Sequence, residues 1–141
     1  MILPDMKWDL KTVSSLYLVA LVQDRSIRSL RDLRKRHVGL LSSIRSEAER
    51  VVQEKWGLAR GALRMYVHYQ PSYCKFYYYC CCCPPALRVA QVGLLDHFHV
   101  HIVNANYQGA MLGMSVGQAH LLDDIISLVS FEILLNSCEE F

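Results

Sequence analysis

The chain has no long apolar run. Its longest uncharged apolar stretches, such as Leu16 to Val22, fall far short of the ~20 residues that a bilayer-crossing helix needs. No membrane anchor is expected. A charged leader followed by an apolar segment is also lacking, so the six cysteines do not read as the disulfide framework of a secreted protein. The expected location is the cytosol or the nucleus. Charge of one sign is scarce too, because 15 Lys+Arg against 13 Asp+Glu leave a formal +2. With 52% hydrophobic and 20% charged residues, that balance excludes both a disordered chain and a strongly basic nucleic-acid-binding arm. The length of 141 residues allows one globular domain, or one domain plus an insertion.

What is present is mostly patterned for secondary structure. Val13, Leu16, Tyr17, Ala20 and Leu21 have the one-sided spacing of an amphipathic helix, which predicts a helix from Asp9 to Asp24. Arg25, Arg28, Arg31, Arg34, Lys35 and Arg36 follow with only Asp32 against them. That stretch reads as a solvated linker face, with the capacity to offer positive potential to a phosphate-bearing ligand. A second helix places Leu41, Ile44, Ala48, Val51, Val52 and Trp56 inward and Arg45, Glu47, Arg50 and Glu54 outward, with Gly57 as its stop. From Ala62 to Gln70 the period changes to two, with Leu63, Met65, Val67 and Tyr69 on one side and Arg64, Tyr66, His68 and Gln70 on the other. Pro71 should end that strand. His97 to Val103 alternates in the same way, and Gly109, Gly113 and Gly117 mark a loop before a last helix with Leu122, Ile125, Ile126 and Val129. The expected fold is α+β, an antiparallel sheet with helices on its apolar face.

Between the two strands, residues 74 to 96 are anomalous. Tyr77, Tyr78 and Tyr79 run directly into Cys80, Cys81, Cys82 and Cys83, then Pro84 and Pro85. Contiguous cysteines lack the gaps that let a chain wrap thiolates around a tetrahedral zinc, so no metal site is expected there. The segment reads as low-complexity sequence added to the domain.

His97, His99 and His101 occupy one face of the second strand, ~6.6 Å apart along it. Three readings stay open on the residues alone. They are exposed surface histidines, or part of a metal site completed from elsewhere, for example by His68. The third reading is phosphoryl or nucleotidyl transfer. A neutral imidazole is a competent nucleophile near neutral pH, and its neighbours can orient it, hold phosphate oxygens and protonate a leaving group.

The stretch His97-Phe98-His99-Val100-His101-Ile102-Val103 resembles the histidine-triad motif. Leu3-Pro4-Asp5-Met6-Lys7-Trp8, Leu16-Tyr17-Leu18, Ile27 to Leu33, Arg64 to Tyr69 and Pro71-Ser72-Tyr73 resemble, in order, the C-terminal domain of the scavenger mRNA-decapping enzymes. Leu121 to Ile126 is similar to that family's fungal branch. The resemblance implies a metal-independent hydrolase of 7-methylguanosine cap dinucleotides and short capped RNA, working without a cofactor through a phosphohistidine. It also implies a homodimer. His99 would be the nucleophile, with His97, His101 and His68 around it. Ser72 and Tyr73 would contact the phosphate chain, Asp5 the methylguanine and Lys7 a phosphate. Another histidine-triad nucleotide hydrolase, or an impaired nucleotide-binding or dimerising remnant of the same fold, is the alternative.

Against the family pattern, the chain reads as truncated at its start, with an atypical tail over 130–141. It carries 23 residues between Tyr73 and His97 where the family has a single one. Closing a longer loop costs little more free energy, so the domain, 1–141, is expected to fold around the insertion at 74–96. Deleting Lys75 to Asp96 leaves Cys74 as the one intervening residue. The shortened chain is expected to melt higher and to be at least as active. A melting temperature lower by several degrees would make the segment integral to the fold.

Overall fold

The computed structural model describes residues 1–68, 98–107 and 119–138, with side chains as far as Phe131. The expectations for the strand end at Pro71, the segment 74–96, the glycine loop and the last residues of the tail lie outside them. Ile2–Pro4 (β1), Tyr17–Leu21 (β2), Leu63–His68 (β3), His99–Asn104 (β4) and Ala119–Leu121 (β5) form one sheet in the order β1-β2-β4-β3-β5. Every pairing is antiparallel. Among the described residues two α-helices accompany the sheet, Val38–Trp56 (α1) and Leu122–Cys138 (α2), so the architecture is α+β as expected.

The helix expected from Asp9 to Asp24 does not form. Its residues make a turn, a short 3-10 segment at Val13–Ser15 and then β2. Asp9 bends the chain: Oδ1 accepts from the amides of Lys11 and Thr12 at 3.0 and 2.9 Å, and Oδ2 accepts from the Thr12 hydroxyl at 2.6 Å. These bonds, that from the Thr12 side chain foremost, hold the Asp9 carboxyl below its ordinary range. Beyond the turn, Leu16 to Val22 is an unbroken apolar run. β2 lies between β1 and β4, and Tyr17 to Ala20 are all buried. A strand covered on both faces needs no alternation, so the helical spacing was a subset of a continuous pattern. Asn104 fixes where the strand begins, its Nδ2 donating to the Val13 carbonyl at 3.0 Å and its amide to that of Leu16 at 3.1 Å.

Register sorts the sheet into two faces. Ile2, Ala20 and Val100 lie side by side, as do Pro4, Leu18, Ile102 and Met65. This is the face that meets the helices: α1 and β1–β2 share a groove lined by Ile2, Ala20, Ile44 and Val51. Leu41, Ala48 and Val52 of α1 and Leu122 and Ile125 of α2 are buried in the same core. The outward residues Arg45, Glu47, Arg50 and Glu54 are exposed, as expected from the spacing. Trp8 belongs to this core as well, edge-on to Trp56 at 5.3 Å, with its indole N–H donating to the Thr12 carbonyl at 2.9 Å. On the opposite face stand Tyr17, Val19 and Leu21, then His99 and His101, then Arg64, Tyr66 and His68.

The basic stretch behaves as a solvated face. All six of its cations are exposed, while Ile27 and Leu33 are buried and anchor it. Asp32 Oδ2 accepts from the amides of Arg28 and Ser29 at 2.8 and 3.0 Å, which closes the turn between the anchors. Phe98 then ties this segment to β4, its amide donating to the Ile27 carbonyl at 3.2 Å and its carbonyl accepting from Val22 at 3.2 Å. The chain therefore enters the histidine strand from a position pinned by backbone bonds.

α1 ends at Gly57, whose φ of 67° is left-handed and whose amide donates to the Gln53 carbonyl at 3.0 Å. Gly57→Ala is expected to cost about 1 kcal/mol, because a Cβ is disfavoured in that conformation. Gly39→Ala in the first turn of α1 should act the other way. A Cβ there meets nothing within 4 Å, and the gain in helix propensity is about 0.5 kcal/mol. Chemical denaturation of the two variants checks the opposite signs.

Candidate active site

Sheet register builds the site. His101 sits between Val19 of β2 and Tyr66 of β3. His99 stands two residues back on the same face, beside Leu21. The period of a strand therefore puts His99 and His101 next to each other, with ring centroids 4.8 Å apart. His68, two residues beyond Tyr66, brings its ring to 4.8 Å from that of His101. His99 and His68 thus flank His101 and lie no further apart than twice that distance.

Burial distinguishes these residues from surface histidines. His101 is 1% exposed and His99 5%. His68 is half-buried and sits at the edge of the cluster. Burial, followed by the nearby His99, His68 and Lys7, holds the His101 imidazole well below its ordinary pKa, so this ring is neutral at pH 7. The cluster has a polar partner on the neighbouring strand. The Tyr17 hydroxyl lies 2.9 Å from His101 Nδ1 and 3.3 Å from the Tyr66 hydroxyl. Tyr66 also stacks on His101, with centroids 5.0 Å apart and planes 17° from parallel. Burial raises the Tyr66 phenol pKa, against the lowering effect of its bond with Tyr17, so it keeps its proton at neutral pH.

Asp5 and Lys7 reach the same face from the loop after β1. Asp5 is buried; its amide donates to the Tyr17 carbonyl at 2.9 Å and its Oδ1 accepts from the Lys7 amide at 2.8 Å. This continues the β1–β2 pairing by one residue and turns the chain so that Lys7 Nζ lies 5.9 Å from the centre of the Tyr17 ring. A cation and a carboxylate thus stand on one side of the imidazole pair and His68 on the other. The arrangement can hold an anion against a neutral imidazole, which suits phosphoryl chemistry.

Of the residues singled out by sequence, the structure brings together His68, His99 and His101, with Asp5 and Lys7 beside them. His97, Ser72 and Tyr73 lie outside the described residues. Among the described residues, no group of three His, Cys, Asp or Glu side chains is placed to hold a metal ion. Tyr17 and Tyr66 enter the cluster unforeseen. Tyr66 stood on the polar side of its strand in the sequence pattern, whereas Tyr17 was hidden by the helical reading of its segment.

Residues 1–86 match the family model described as scavenger mRNA decapping enzyme C-term binding. The chain is similar to the m7GpppX diphosphatase of Schizosaccharomyces pombe, 35% identical over 125 residues, which is 89% of this chain and 34% of that protein. The m7GpppX diphosphatase of Ascaris suum is 36% identical over 124 residues, 88% of this chain and 33% of the relative. That of Sus scrofa is 32% identical over 125 residues, 89% and 30%. The chain spans about a third of the length of these curated relatives.

The lowered pKa of His101 predicts a pH effect on stability. Unfolding returns the ring to its ordinary value of about 6.5, so below that pH the unfolded chain binds a proton that the folded chain refuses. Stability present above pH 6.5 is therefore lost as pH falls toward the depressed value. Melting temperatures between pH 8 and 5 should decline on the acid side, and His101→Gln should flatten that slope. An unchanged slope in the variant would contradict a neutral buried His101.

Proposed function

This chain belongs to the scavenger mRNA decapping enzyme family, and from that premise we propose that it hydrolyses 7-methylguanosine cap dinucleotides and short capped RNA in the cytoplasm or nucleus. The single observation that carries the reading is the contact of His99, His101 and His68 on one sheet face with Asp5 and Lys7 beside them. In the reaction, His99 attacks the phosphorus next to the methylated nucleoside. The anhydride bond to the rest of the substrate breaks, the departing phosphate takes a proton, and a phosphohistidine forms. Water then cleaves the phosphorus–nitrogen bond and releases 7-methylguanosine monophosphate. Neutral His101 donates a hydrogen bond to a phosphate oxygen, and His68, at the open edge, serves proton transfer. Lys7 offsets phosphate charge and Asp5 accepts from the guanine edge. Ser72, Tyr73 and His97 are assigned to the phosphate chain and the nucleophile by the family resemblance.

A homodimer is part of the same proposal, and light scattering at micromolar concentration checks it; a monodisperse monomer would remove it. The 23 residues between Tyr73 and His97, where the family has a single one, favour a second reading, a chain that binds the cap nucleotide without turning it over.

Turnover of a cap dinucleotide by the purified chain separates the two. His99→Asn keeps size and some hydrogen bonding but removes the nucleophilic nitrogen, so turnover should fall by at least about a thousandfold while cap binding persists. His101→Asn should lower it less. Activity is expected to survive a chelator, since the covalent intermediate does the work that a Lewis acid would otherwise do. Loss with chelator and recovery with zinc would replace the nucleophile by a metal. Binding without turnover in the parent chain would select the second reading.

A further inference from the structure

We propose that Tyr17 and Tyr66 are positioning residues for this reaction: their hydroxyls stand in series on Nδ1 of His101 and fix that ring as the tautomer carrying its proton on Nε2. The inference rests on the reading of His99 as nucleophile and His101 as its phosphate-holding neighbour. Tyr17 is the joint. Its oxygen lies 2.9 Å from Nδ1 and 3.3 Å from the Tyr66 hydroxyl, and all three residues are 5% exposed or less. A phenol donates more readily than it accepts, and the bare nitrogen of a neutral imidazole is the stronger acceptor of the two partners. The favoured order is therefore Tyr66 to Tyr17 to Nδ1, which leaves the proton of His101 on Nε2. The reverse order would put a lone pair at Nε2, facing phosphate oxygens that need a donor.

Geometry reinforces the assignment. Tyr66 pairs with His101 across β3 and β4 and stacks on it at 5.0 Å, so one residue fixes the ring's plane and also feeds its hydrogen-bond chain. Among the described residues, the groups acting on His101 include Tyr17 from β2, Lys7 from the loop before it, His99 on its own strand, and Tyr66 and His68 from β3; Asp5 and Tyr107 act on Tyr66. Lys7, the cation among them, opposes a charge on His101. A donor on Nδ1 does the same, because it stabilises the neutral ring.

Imidazole nitrogen NMR of the full chain, with His101 assigned through His101→Gln, reads the tautomer without substrate. The wild type should show a protonated Nε2 and a bare Nδ1 at pH 7. Tyr17→Phe should move both nitrogens toward the average of exchanging tautomers and raise the pH at which the ring takes its second proton. Tyr66→Phe, which leaves the Tyr17 bond in place, should move them less in the same direction, and it decides the matter if Tyr17→Phe does not fold. With a cap dinucleotide, kcat of Tyr17→Phe should fall about tenfold with KM within about twofold, as expected for one hydrogen bond felt in the transition state. A protonated Nδ1 in the wild type, or ring spectra unchanged in both variants, overturns the inference. A wild type that cleaves no cap dinucleotide overturns the catalytic reading instead, and the ring spectra still decide the tautomer.

Discussion

The pairing of Tyr66 with His101 across β3 and β4 is the contact on which the site depends. Side chains on a strand alternate with a period of two, so this register places Arg64, Tyr66 and His68 on the face of His99 and His101. A slip of one residue would send all three to the helix side and bring Met65 and Val67 out of the core. The register is protected because that exchange would bury an arginine and expose two apolar side chains now 8% and 3% accessible. Hydrophobic burial on one face of β3 thus sets the polar geometry on the other. The spacing of the imidazoles thus comes from a folding constraint that acts on the other face of the same strand.

β2 supplies the second constraint, from the other side of His101. It is a central strand, and its backbone links three things: β1 with the Asp5 turn, Asn104 at the far end of β4, and the phenol that meets Nδ1. Moving Tyr17 would disturb the amide bond that positions Asp5 and the hydroxyl that orients His101 together. The carboxylate, the cation and the imidazole pair are therefore not independent additions to a scaffold. They are three consequences of how β2 is held.

Sequence reading reached the histidine strand because its pattern is strong and local: alternation identified the strand, and three imidazoles on one side marked it as a candidate site. It reached α1 for the same reason, since a 3.6-residue period ending in glycine has few other interpretations. Failure at Asp9 to Asp24 has a physical cause. A strand buried on both faces carries no periodic signal, and the turn before it is built from Asp9 and Thr12 oxygens, which can also begin a helix. That error hid Tyr17, since a tyrosine on an apolar helix face reads as packing. Placed on a strand next to β4, it becomes a hydroxyl aimed at an imidazole. Trp8 shows the converse, an aromatic beside the Asp5–Lys7 pair that is spent on the core against Trp56.

A neutral histidine in a dry site works differently from a charged one. With a full charge, His101 would bind phosphate more strongly in the ground state, but it would also repel Lys7 and carry a desolvation cost in a position 1% exposed. In the proposed reaction, a neutral donor costs less to bury and can still strengthen its bond as charge builds on the phosphate oxygens during attack, the stage at which binding accelerates the reaction. That advantage depends on the proton being on the correct nitrogen. In a low-dielectric interior the wrong tautomer would turn an attraction into a repulsion at the same atom, so the arrangement requires something to hold the tautomer. A phenol on Nδ1, backed by a second phenol, is a small structure that meets this requirement with side chains already committed to the sheet.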